Sequence, residues 1–456
     1  MSAKRMLKII MELPEKLPIR PFQKPVEGSV YLPGSKSITN RALLMAVMSR
    51  GEVLLEGTLV SEDSQLMIEA LQTLGVIIER EEETRLKVCG VEGVFPVKKA
   101  DIFVGTAGTV ARLLIAVLGV QLSGNYRVNG TEVMRGRPMK GLTDALKQLG
   151  TEIEFEHSKG QIPFVIKPRG FGSSDLKVDA SETSQILSAA MMCAGLAKEK
   201  ISIELINSKV RKAYVKMTQH MMADFGVRGV SWNDTFTRFE IDPGDGYHRS
   251  EGKYTIESDA SAASYFLSLP KVVGGALSVH HFDPDGLQGD VAYLKVLEEL
   301  GAQAKKNGTG IKIGFSNAEL KPRVFNFYEF SDTFMSLAAI SPLFTYPIRI
   351  EGIAHTRRQE SDRVSAMATE LKKLGQTVEE GEDYLEVSPN RDALKEVAER
   401  GVEIETYKDH RIAMSFGILG CCDVLENGKP WMTVLDPGCC SKTFPEFFTV
   451  LDNLRD

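Results

Sequence analysis

The chain has few cysteines, no long hydrophobic run and no excess of basic residues. Its six cysteines among 456 residues include two adjacent pairs, which matches neither zinc-ligand spacing nor a disulfide framework. The longest apolar runs, such as LLIAVLGVQL, are too short to span a bilayer. The net charge of -6 disfavours nucleic acid as the main partner. We therefore expect a cytoplasmic protein that binds neither membranes nor nucleic acid.

The amino-terminal segment shows no pattern of a targeting signal. In MSAKRMLKIIMELPEKLP the short apolar stretch is interrupted by Glu12 and Pro14, and no small-residue cleavage site follows. We expect residues 1 to about 18 to form a loosely docked extension. The whole length suits two or three domains, because one hydrophobic core rarely serves so many residues.

Five helix-like segments end in a glycine at nearly equal intervals along the chain. The glycines are Gly75, Gly150, Gly226, Gly301 and Gly375. Glycine readily adopts the left-handed conformation that commonly ends a helix. Most of these glycines precede an alternating stretch typical of a strand, a turn and a second strand. With a further unit at the carboxyl end, the spacing predicts six copies of one α/β unit.

A second series of six helix-like segments is apolar on almost every face. These segments begin at GSKSITNRALLMAVM, GTAGTVARLLIAVLG, SETSQILSAAMMCAGLA, SDASAASYFLSL, SDTFMSLAAISPLF and YKDHRIAMSFGILG. A helix that is hydrophobic all round is buried, so we expect these helices to lie inside the strands and the other helices. Nearly all begin with capping residues, and helix N-termini attract anions. The pattern predicts the reverse of a doubly wound sheet, and if the units are arranged with rotational symmetry, several helix N-termini would converge on one anion site.

Polar side chains interrupt the apolar segments near their N-termini. A buried arginine or lysine is costly unless an anion or a carbonyl group meets it. The basic residues outnumber the acidic ones, which indicates a substrate with several negative charges, such as phosphate and carboxylate groups. The residues concerned are Lys36, Ser37, Arg41, Arg112, Thr183, Ser184, Gln185, Asp332, His410 and Arg411 on the apolar segments, with Arg137, Glu360, Arg363 and Lys442 elsewhere.

Taken singly, each of these motifs also has an ordinary structural explanation. GSKS is typical of a capped helix, ESDR is typical of an exposed capping box, and GTAGT does not complete a Walker loop. Only their joint occurrence at equivalent repeat positions indicates a site. No cluster of cysteine, histidine and carboxylate residues has metal-ligand spacing, so we expect no metal and no cofactor.

Segments along most of the chain resemble the 5-enolpyruvylshikimate-3-phosphate (EPSP) synthase family of enolpyruvyl transferases. They include LPGSKSITNRALLMA, GTAGTVARLL, RGRPMKGLTDALKQLG, RRQESDRVSAMATELKKLG, YKDHRIAMSFG and LDPGCCSKTFPEFF, in the family's order from about residue 28 to the end. The resemblance implies an inside-out α/β fold of two domains with three repeats each. The implied domains are residues 35–256 and residues 1–34 with 257–456, joined by a double-crossover hinge. We also expect a monomer.

The family's reaction transfers the enolpyruvyl group of phosphoenolpyruvate to the 5-hydroxyl of 3-phosphoshikimate and releases phosphate. The reaction is a step of the shikimate pathway to chorismate and the aromatic amino acids, and it is the target of glyphosate. The resemblance implies contacts to 3-phosphoshikimate from Ser37, Arg41, Thr183, Ser184, Asp332, His355 and Gln359. It implies contacts to phosphoenolpyruvate from Lys36, Gly108, Arg137, Gln185, Arg363, Arg411 and Lys442, with Arg112 as a further basic residue of the site.

The reaction needs one proton at the methylene carbon of phosphoenolpyruvate and removes one from the acceptor hydroxyl. We expect Glu360 to protonate the carbon, with its pKa raised when the site closes. Asp332 and Lys36 are the candidates for handling the hydroxyl proton. Lys442 and the arginines are expected to stabilise the departing phosphate, and His410 completes the predicted catalytic set.

Several positions depart from the common pattern of the family. Thr106, Leu113 and Gln359 replace a frequent Asn, Pro and Lys, respectively. His355 replaces a common Asn. Arg211 occupies the place of a serine that contacts the shikimate phosphate, so it could bind that phosphate or signal a different acceptor. The loss of the Pro at 113 leads us to expect somewhat reduced glyphosate sensitivity.

Other functions stay open at the level of the sequence. A UDP-N-acetylglucosamine enolpyruvyl transferase is disfavoured, because GTEVMRGRP contains neither Cys nor Asp and Ser37, rather than Asn, follows Lys36. A paralogue that acts on another hydroxylated acid is one alternative, suggested by Arg211 and Gln359. A non-catalytic polyanion-binding protein is the other, although binding alone would not require the acidic residues.

Overall fold

The computed structural model describes residues 13–207, 210–316 and 322–455. Its contacts divide the chain into a central unit, Gly34–Ile256, and a terminal unit, Met1–Pro33 with Glu257–Asp456. The chain passes between the units next to residues 35 and 256, the positions at which the hinge is expected. A hinge motion there stays a prediction.

Apolar helices form the interior of each unit. In the helix Gly108–Gly119 every residue is buried. The burial agrees with the all-round apolar pattern, so the prediction of buried inner helices is confirmed. Within the described residues the inner helices are Lys36–Met48, Gly108–Gly119 and Ser184–Ala194 in the central unit, with Ala260–Val273, Phe334–Ile340 and His410–Leu419 in the terminal unit.

The second helix series is half-exposed and ends where the glycine spacing predicts. Gly75, Gly150, Gly226, Gly301 and Gly375 have φ angles of 89°, 91°, 97°, 93° and 74°, in the left-handed region. The five helices that they follow are Glu62–Thr73, Lys140–Gln148, Lys212–Asp224, Tyr293–Glu299 and Arg363–Lys373. Elsewhere in the described ranges the structure also has the α-helices Glu132–Arg135, Arg391–Arg400 and Phe447–Asn453.

The sheets of the central unit share one topology. In each sheet the first strand is parallel to the second, and the second, third and fourth strands are antiparallel. In spatial order the strands are Lys253–Thr255, Glu52–Glu56, Arg85–Cys89 and Ile78–Glu82; Lys99–Phe103, Asn125–Asn129, Phe164–Lys167 and Glu152–Phe155; and Asp175–Val178, Ile201–Leu205, Arg238–Asp242 and Gly229–Trp232.

The terminal unit repeats this topology in two sheets and shortens it in a third. The two complete sheets are Val26–Tyr31, Gly275–His280, Gly310–Phe315 and Ala302–Asn307, and Arg323–Asn326, Ile348–Glu351, Tyr384–Ser388 and Thr377–Glu380. The third sheet, as far as the structure describes it, has the strands Val402–Ile404, Met432–Leu435 and Lys16–Pro18.

The strand Lys16–Pro18 corrects one expectation from the sequence. It pairs antiparallel with Met432–Leu435 and so takes the place that the third strand has in the other sheets. Residues 16–18 are therefore part of the terminal unit rather than a loosely docked extension. Residues 1–12, where the expectation also applied, lie outside the described residues.

In four of the six described sheets an inner helix connects the two parallel strands, whereas the helices Lys36–Met48 and Ala260–Val273 each join strands of different sheets. Lys99–Phe103 leads into the helix Gly108–Gly119, which leads into the parallel strand Asn125–Asn129. The helix Lys140–Gln148 and an antiparallel hairpin follow. The inner helix thus begins beyond the carboxyl end of a strand, with its first turn free to present polar groups. No helix in the described part of the chain has the length and hydropathy needed to cross a bilayer.

Candidate active site

Arg41 lies one turn into the first inner helix, buried inside the central unit. Its Nε donates to Thr218 Oγ1 at 2.9 Å, Nη1 donates to the Ser37 carbonyl at 3.0 Å, and Nη2 donates to Ser188 Oγ at 3.4 Å. All three acceptors are neutral, and no carboxylate pairs with Arg41 among residues 13–207, 210–316 and 322–455. Burial lowers the pKa of Arg41 to about 10. The site therefore holds a buried positive charge that an anion could balance.

Lys36 opens the same helix and meets an acidic residue. Its Nζ lies 3.4 Å from Oδ2 of Asp63, which is buried at the start of the outer helix Glu62–Thr73. Lys36 was predicted from the sequence as a site residue, whereas Asp63 was not. The carboxylate provides a fixed partner that orients the ammonium group.

Gly108 starts the second inner helix between two arginines. A Cβ atom at this position would lie 2.8 Å from Arg112 Nη1 and 2.9 Å from Arg137 Nη1. Arg112 Nη1 donates to Gln185 Oε1 at 2.9 Å, and Gln185 Nε2 donates to Thr109 Oγ1 at 3.0 Å. Arg137 Nη1 is 3.3 Å from the Thr106 carbonyl oxygen, which accepts its hydrogen bond. The missing side chain at 108 thus leaves room for two guanidinium groups beside a helix N-terminus.

The arginine pair at Gly108 is electrostatically strained. Burial, together with the positive charges of Arg137 and Arg211 and partly offset by Glu182, lowers the pKa of Arg112 to about 9. Arg112 donates to the Gly108 carbonyl, Gln185 Oε1 and the Pro138 carbonyl, all of which are neutral oxygens. Two buried atoms of Arg137, Nε and Nη2, have no hydrogen-bond partner among the described residues. Such a group gains energy from a bound phosphate or carboxylate.

The third inner helix adds hydroxyl groups to the central unit. The side chain of Thr183 caps this helix by accepting from the Gln185 backbone N–H at 3.3 Å. Ser184 is buried, and its Oγ has no partner in the described part of the chain. Arg211 precedes the helix Lys212–Asp224, with its guanidinium carbon 5.4 Å from the centre of the Tyr214 ring.

In the terminal unit, two arginines converge on Asp332. Arg363 Nη1 donates to Asp332 Oδ1 at 3.2 Å, and Arg411 Nη2 donates to Asp332 Oδ2 at 2.8 Å. Arg363 also donates through Nε to Asp409 Oδ2 at 2.7 Å. Burial alone would lower the pKa of Arg363, but the charges of Asp409, Glu360 and Asp332 outweigh it and raise that pKa. Arg363 and Arg411, unlike Arg41 and Arg112, are paired with carboxylates.

Glu360 lies beside a histidine, a lysine and an arginine. Its Oε2 is 2.9 Å from His410 Nδ1 and 3.7 Å from Arg363 Nη2, and its Oε1 is 3.8 Å from Lys442 Nζ. Burial alone would raise the pKa of Glu360, but His410, Lys442 and Arg363 together hold it well below its ordinary value. Burial lowers the pKa of His410, partly offset by Glu360. Without substrate, Glu360 is therefore a carboxylate.

The two remaining predicted residues of the terminal unit lie next to the same cluster. Ser331 Oγ and His355 Nε2 are 2.7 Å apart. Gln359 Oε1 accepts a hydrogen bond from Arg363 Nη1. Both side chains thus contact or neighbour residues of the Asp332 group. Neither position requires the more common Asn or Lys to complete these contacts.

Asp290 is a buried carboxyl group that the sequence analysis did not identify. Its Oδ2 accepts from Ser261 Oγ at 2.6 Å, and Ser261 Oγ also accepts from Arg411 Nη2 at 3.4 Å. Burial raises the pKa of Asp290 to about 7, and the charge of Asp332 contributes. Asp290 therefore belongs to the hydrogen-bonded surroundings of Arg411.

One group of potential metal ligands exists among the described residues. Ligand atoms of Glu360, Asp409 and His410 all lie within 4.8 Å of one another. Asp409 already accepts from Arg363, and Lys442 and Arg363 lie beside Glu360. These positive charges oppose a divalent cation, so the donor set fits a metal poorly. The absence of a metal and of a cofactor stays a prediction.

The predicted residues fall into two groups, one in each unit. The central unit holds Lys36, Ser37, Arg41, Gly108, Arg112, Arg137, Thr183, Ser184, Gln185 and Arg211, and the terminal unit holds Asp332, His355, Gln359, Glu360, Arg363, His410, Arg411 and Lys442. Contacts to these groups also come from residues that the sequence did not predict: Asp63, Ser188, Thr218, Asp290 and Asp409. The capping position before His410 was a usable signal for Asp409. No signal in the sequence indicated the hydroxyls of Ser188 and Thr218.

Comparison with known proteins gives consistent matches along the chain. The family model described as EPSP synthase (3-phosphoshikimate 1-carboxyvinyltransferase) matches residues 22–451. A 3-phosphoshikimate 1-carboxyvinyltransferase of Opitutus terrae is 47% identical over 449 residues, covering 98% of this chain and 99% of the relative. The enzyme of that name from Nostoc punctiforme is 37% identical, with 95% and 98% covered.

A plant relative and a solved structure extend these matches. The chloroplastic 3-phosphoshikimate 1-carboxyvinyltransferase of Petunia hybrida is 37% identical, covering 96% of this chain and 85% of the relative. A solved EPSP synthase of Acinetobacter baumannii superposes with a TM-score of 0.76 at 21% identity, over 96% of this chain and 98% of that one. The structural match supports the two-unit α/β fold.

Proposed function

The chain belongs to the EPSP synthase family, and we propose that it transfers the enolpyruvyl group of phosphoenolpyruvate to the 5-hydroxyl of 3-phosphoshikimate. The observation that carries this proposal is the cluster of the terminal unit. There Arg363 and Arg411 converge on Asp332, while Glu360 lies within 4 Å of His410 and Lys442. Cations that bind anions and carboxylates that move protons are the two kinds of group that the reaction needs.

The cations of the central unit suit the anionic groups of both substrates. Arg41 and Arg112 donate only to neutral oxygens, so a carboxylate or phosphate would be a better partner than those they have. We propose that Arg41 binds the shikimate carboxylate and that Thr183 and Ser184 bind its phosphate. The family correspondence and the hydroxyl groups at the third inner helix support this assignment.

The first step adds the 5-hydroxyl oxygen to the central carbon of phosphoenolpyruvate, while a proton adds to its methylene carbon. We propose Glu360 as the donor of that proton, and Asp332 or Lys36 as the acceptor of the hydroxyl proton. The tetrahedral intermediate then loses phosphate as its carbon–oxygen bond breaks, and Lys442 and Arg411 stabilise the charge on the departing group. The methyl carbon then returns a proton to the Glu360 carboxylate, and the electron pair of that C–H bond forms the double bond of the enol ether as phosphate leaves.

The charge of Glu360 sets a condition on this mechanism. As a carboxylate it cannot donate a proton, and its pKa is held low by His410, Lys442 and Arg363 after burial has acted in the opposite direction. Two bound polyanions would neutralise the charges of Lys442 and Arg363, which raises the pKa of Glu360 and allows it to take up a proton. The sequence predicts that the pKa of Glu360 rises when the site closes, and we propose that this rise is caused by substrate binding.

The proposal is tested by mixing the protein with phosphoenolpyruvate and 3-phosphoshikimate and measuring phosphate release. Release that requires both compounds supports the function. Release with other hydroxylated acids but not with 3-phosphoshikimate would instead support the paralogue, and binding without release would support a polyanion-binding protein. The curated relatives favour the first outcome. The monomeric state, the cytoplasmic location and the lack of a nucleic-acid partner stay predictions.

Glu360→Gln is the first variant to measure in this assay. We expect turnover to fall by about 10²–10⁴-fold, because an amide cannot donate the proton in the same way. Binding of 3-phosphoshikimate, followed by calorimetry, should stay nearly unchanged, since its proposed anion contacts are Arg41 and the hydroxyls at Thr183 and Ser184. Unchanged turnover would remove Glu360 from the mechanism.

A further inference from the structure

Glu370 is a fully buried carboxylate for which the proposed reaction has no use. It lies in the last turns of the outer helix Arg363–Lys373 and is 0% exposed. Its Oε1 accepts from the Tyr407 hydroxyl at 2.7 Å, and its Oε2 accepts from the Glu405 backbone N–H at 3.2 Å and from Lys373 Nζ at 2.8 Å. A buried carboxylate is retained at a cost unless such donors surround it.

Two of these donors come from a turn with an unusual backbone. Tyr407 and Lys408 are consecutive non-glycine residues with φ angles of 55° and 57°. The left-handed conformation costs roughly 1–2 kcal/mol for each such residue. The turn therefore needs contacts that hold it, and Glu370 supplies them to residues 405 and 407. Strained backbone of this kind is typical of functional sites.

The turn leads directly into the cluster of the terminal unit. Asp409 follows Lys408, caps the inner helix His410–Leu419, and accepts from the Arg411 backbone N–H at 3.0 Å. Arg363 contacts this segment from the same outer helix that carries Glu370. The two residues are two helical turns apart, which places them on one face of that helix.

We propose that Glu370 is a positioning residue: it fixes the turn at residues 405–408 and thereby sets Asp409, His410 and Arg411 against Glu360 and Arg363. One helix face thus grips the segment at two points, through Arg363 at Asp409 and through Glu370 at the turn. Glu370 contacts none of the groups assigned to substrate or proton transfer. This inference concerns the site of the proposed function. It rests on that function only where turnover is the quantity measured.

Three donors meet the two oxygens of Glu370, and a carboxylate alone accepts from all of them. In Glu370→Gln the amide can accept from the Tyr407 hydroxyl, but its NH₂ group would then face the Glu405 N–H and the Lys373 ammonium. Tyr407→Phe removes one donor and keeps the carboxylate. Lys373→Ala is the matched control, because it removes an ion-pair partner of Glu370 that has no link to the turn.

The rescue variant tests the turn itself. Lys408→Gly places at 408 a residue that adopts the left-handed conformation without strain. We expect Glu370→Gln to lower kcat by about tenfold or more, because the groups of the site lose their alignment. The KM for phosphoenolpyruvate should rise with it through Arg411. Adding Lys408→Gly should restore most of kcat, whereas Lys373→Ala alone should stay within about twofold of the parent.

A second readout does not depend on turnover. The ring signals of His410 in NMR spectra should shift in Glu370→Gln, return towards the parent on adding Lys408→Gly, and stay in place in Lys373→Ala. Unmoved His410 signals in Glu370→Gln would overturn the inference, as would a kcat within twofold of the parent or a loss that Lys408→Gly leaves unchanged. If Glu370→Gln does not fold, Tyr407→Phe with and without Lys408→Gly decides by the same criteria. An inactive parent would refute the proposed function and leave the NMR comparison to test the turn.

Discussion

Gly108→Ala should weaken phosphoenolpyruvate binding while leaving the fold intact. The new Cβ would lie 2.8 Å from Arg112 Nη1 and 2.9 Å from Arg137 Nη1, closer than a methyl group and a guanidinium nitrogen can approach. The backbone of the helix Gly108–Gly119 is fixed by burial, so the two guanidinium groups must retreat instead. Their hydrogen bonds to Gln185 Oε1 and the Thr106 carbonyl then lengthen or break.

The size of the effect follows from the bonds at stake. Losing one charge-assisted hydrogen bond to an anion costs roughly 1.5–3 kcal/mol, which corresponds to about a 10–150-fold rise in KM for phosphoenolpyruvate. Folding stability should change by less than about 1 kcal/mol, because alanine favours a helix over glycine by about that amount and offsets the displaced contacts. KM is measured from phosphate release, and stability is measured by urea unfolding.

Gly136→Ala is the matched control, one residue before Arg137. Gly136 has a φ of -72°, and its added Cβ would meet nothing nearer than the Val133 carbonyl oxygen at 3.6 Å. We expect this variant to keep both KM and stability. The reasoning is refuted if Gly108→Ala leaves KM within twofold of the parent, or if Gly136→Ala raises KM as much as Gly108→Ala does.

Three further outcomes follow from buried groups. The Asp290 carboxyl, with its pKa raised to about 7, holds a proton that the unfolded chain releases near pH 4, so the free energy of unfolding falls as pH rises between these values. In Asp290→Asn the free energy of unfolding, measured with urea, should therefore depend less on pH between pH 5 and pH 8. An unchanged slope would show that Asp290 does not cause the pH dependence. Arg41→Met should keep or raise the stability of the free protein, since the Thr218 hydroxyl retains Ser188 and the Tyr214 carbonyl as partners. The same variant should lose 3-phosphoshikimate binding as measured by calorimetry. A decrease of more than about 3 kcal/mol in the free energy of unfolding would instead show that Arg41 is structural. With Leu113 in place of a Pro, glyphosate should inhibit less than it inhibits a Pro-bearing relative, and matching inhibition curves would contradict this.

The sequence could predict the architecture because the architecture repeats. Each glycine after an outer helix has the left-handed conformation that the spacing implied, and each inner helix is buried as its all-round apolar surface required. The strand Lys16–Pro18 could not be predicted in the same way. Its partner Met432–Leu435 is more than 400 residues away in sequence, and so short a segment carries no period that would identify the pairing.

The sequence predicted the cationic residues of the site more fully than its carboxylates. An arginine in an apolar helix is conspicuous, whereas Asp290 lies in a short 3₁₀ helix whose residues look exposed in sequence. Thr218 and Ser188 contact Arg41 from other helices, and only tertiary packing brings them there. The direction of the Glu360 pKa was also beyond the sequence, because it depends on three neighbours at 2.9–3.8 Å.

The buried arginines Arg41 and Arg112 of the central unit and Arg363 and Arg411 of the terminal unit are in opposite electrostatic states, and this difference suggests a division of labour. Burial lowers the pKa of Arg41 and of Arg112, whose partners are neutral, whereas carboxylates overcome burial and raise the pKa of Arg363 and Arg411. A guanidinium without a carboxylate gains most from an incoming anion. One that is already paired gains less, but its carboxylate is free to exchange protons once the anion takes over the charge. The central unit is thus suited to hold fixed anionic groups, and the terminal unit is suited to the proton transfers and the release of phosphate.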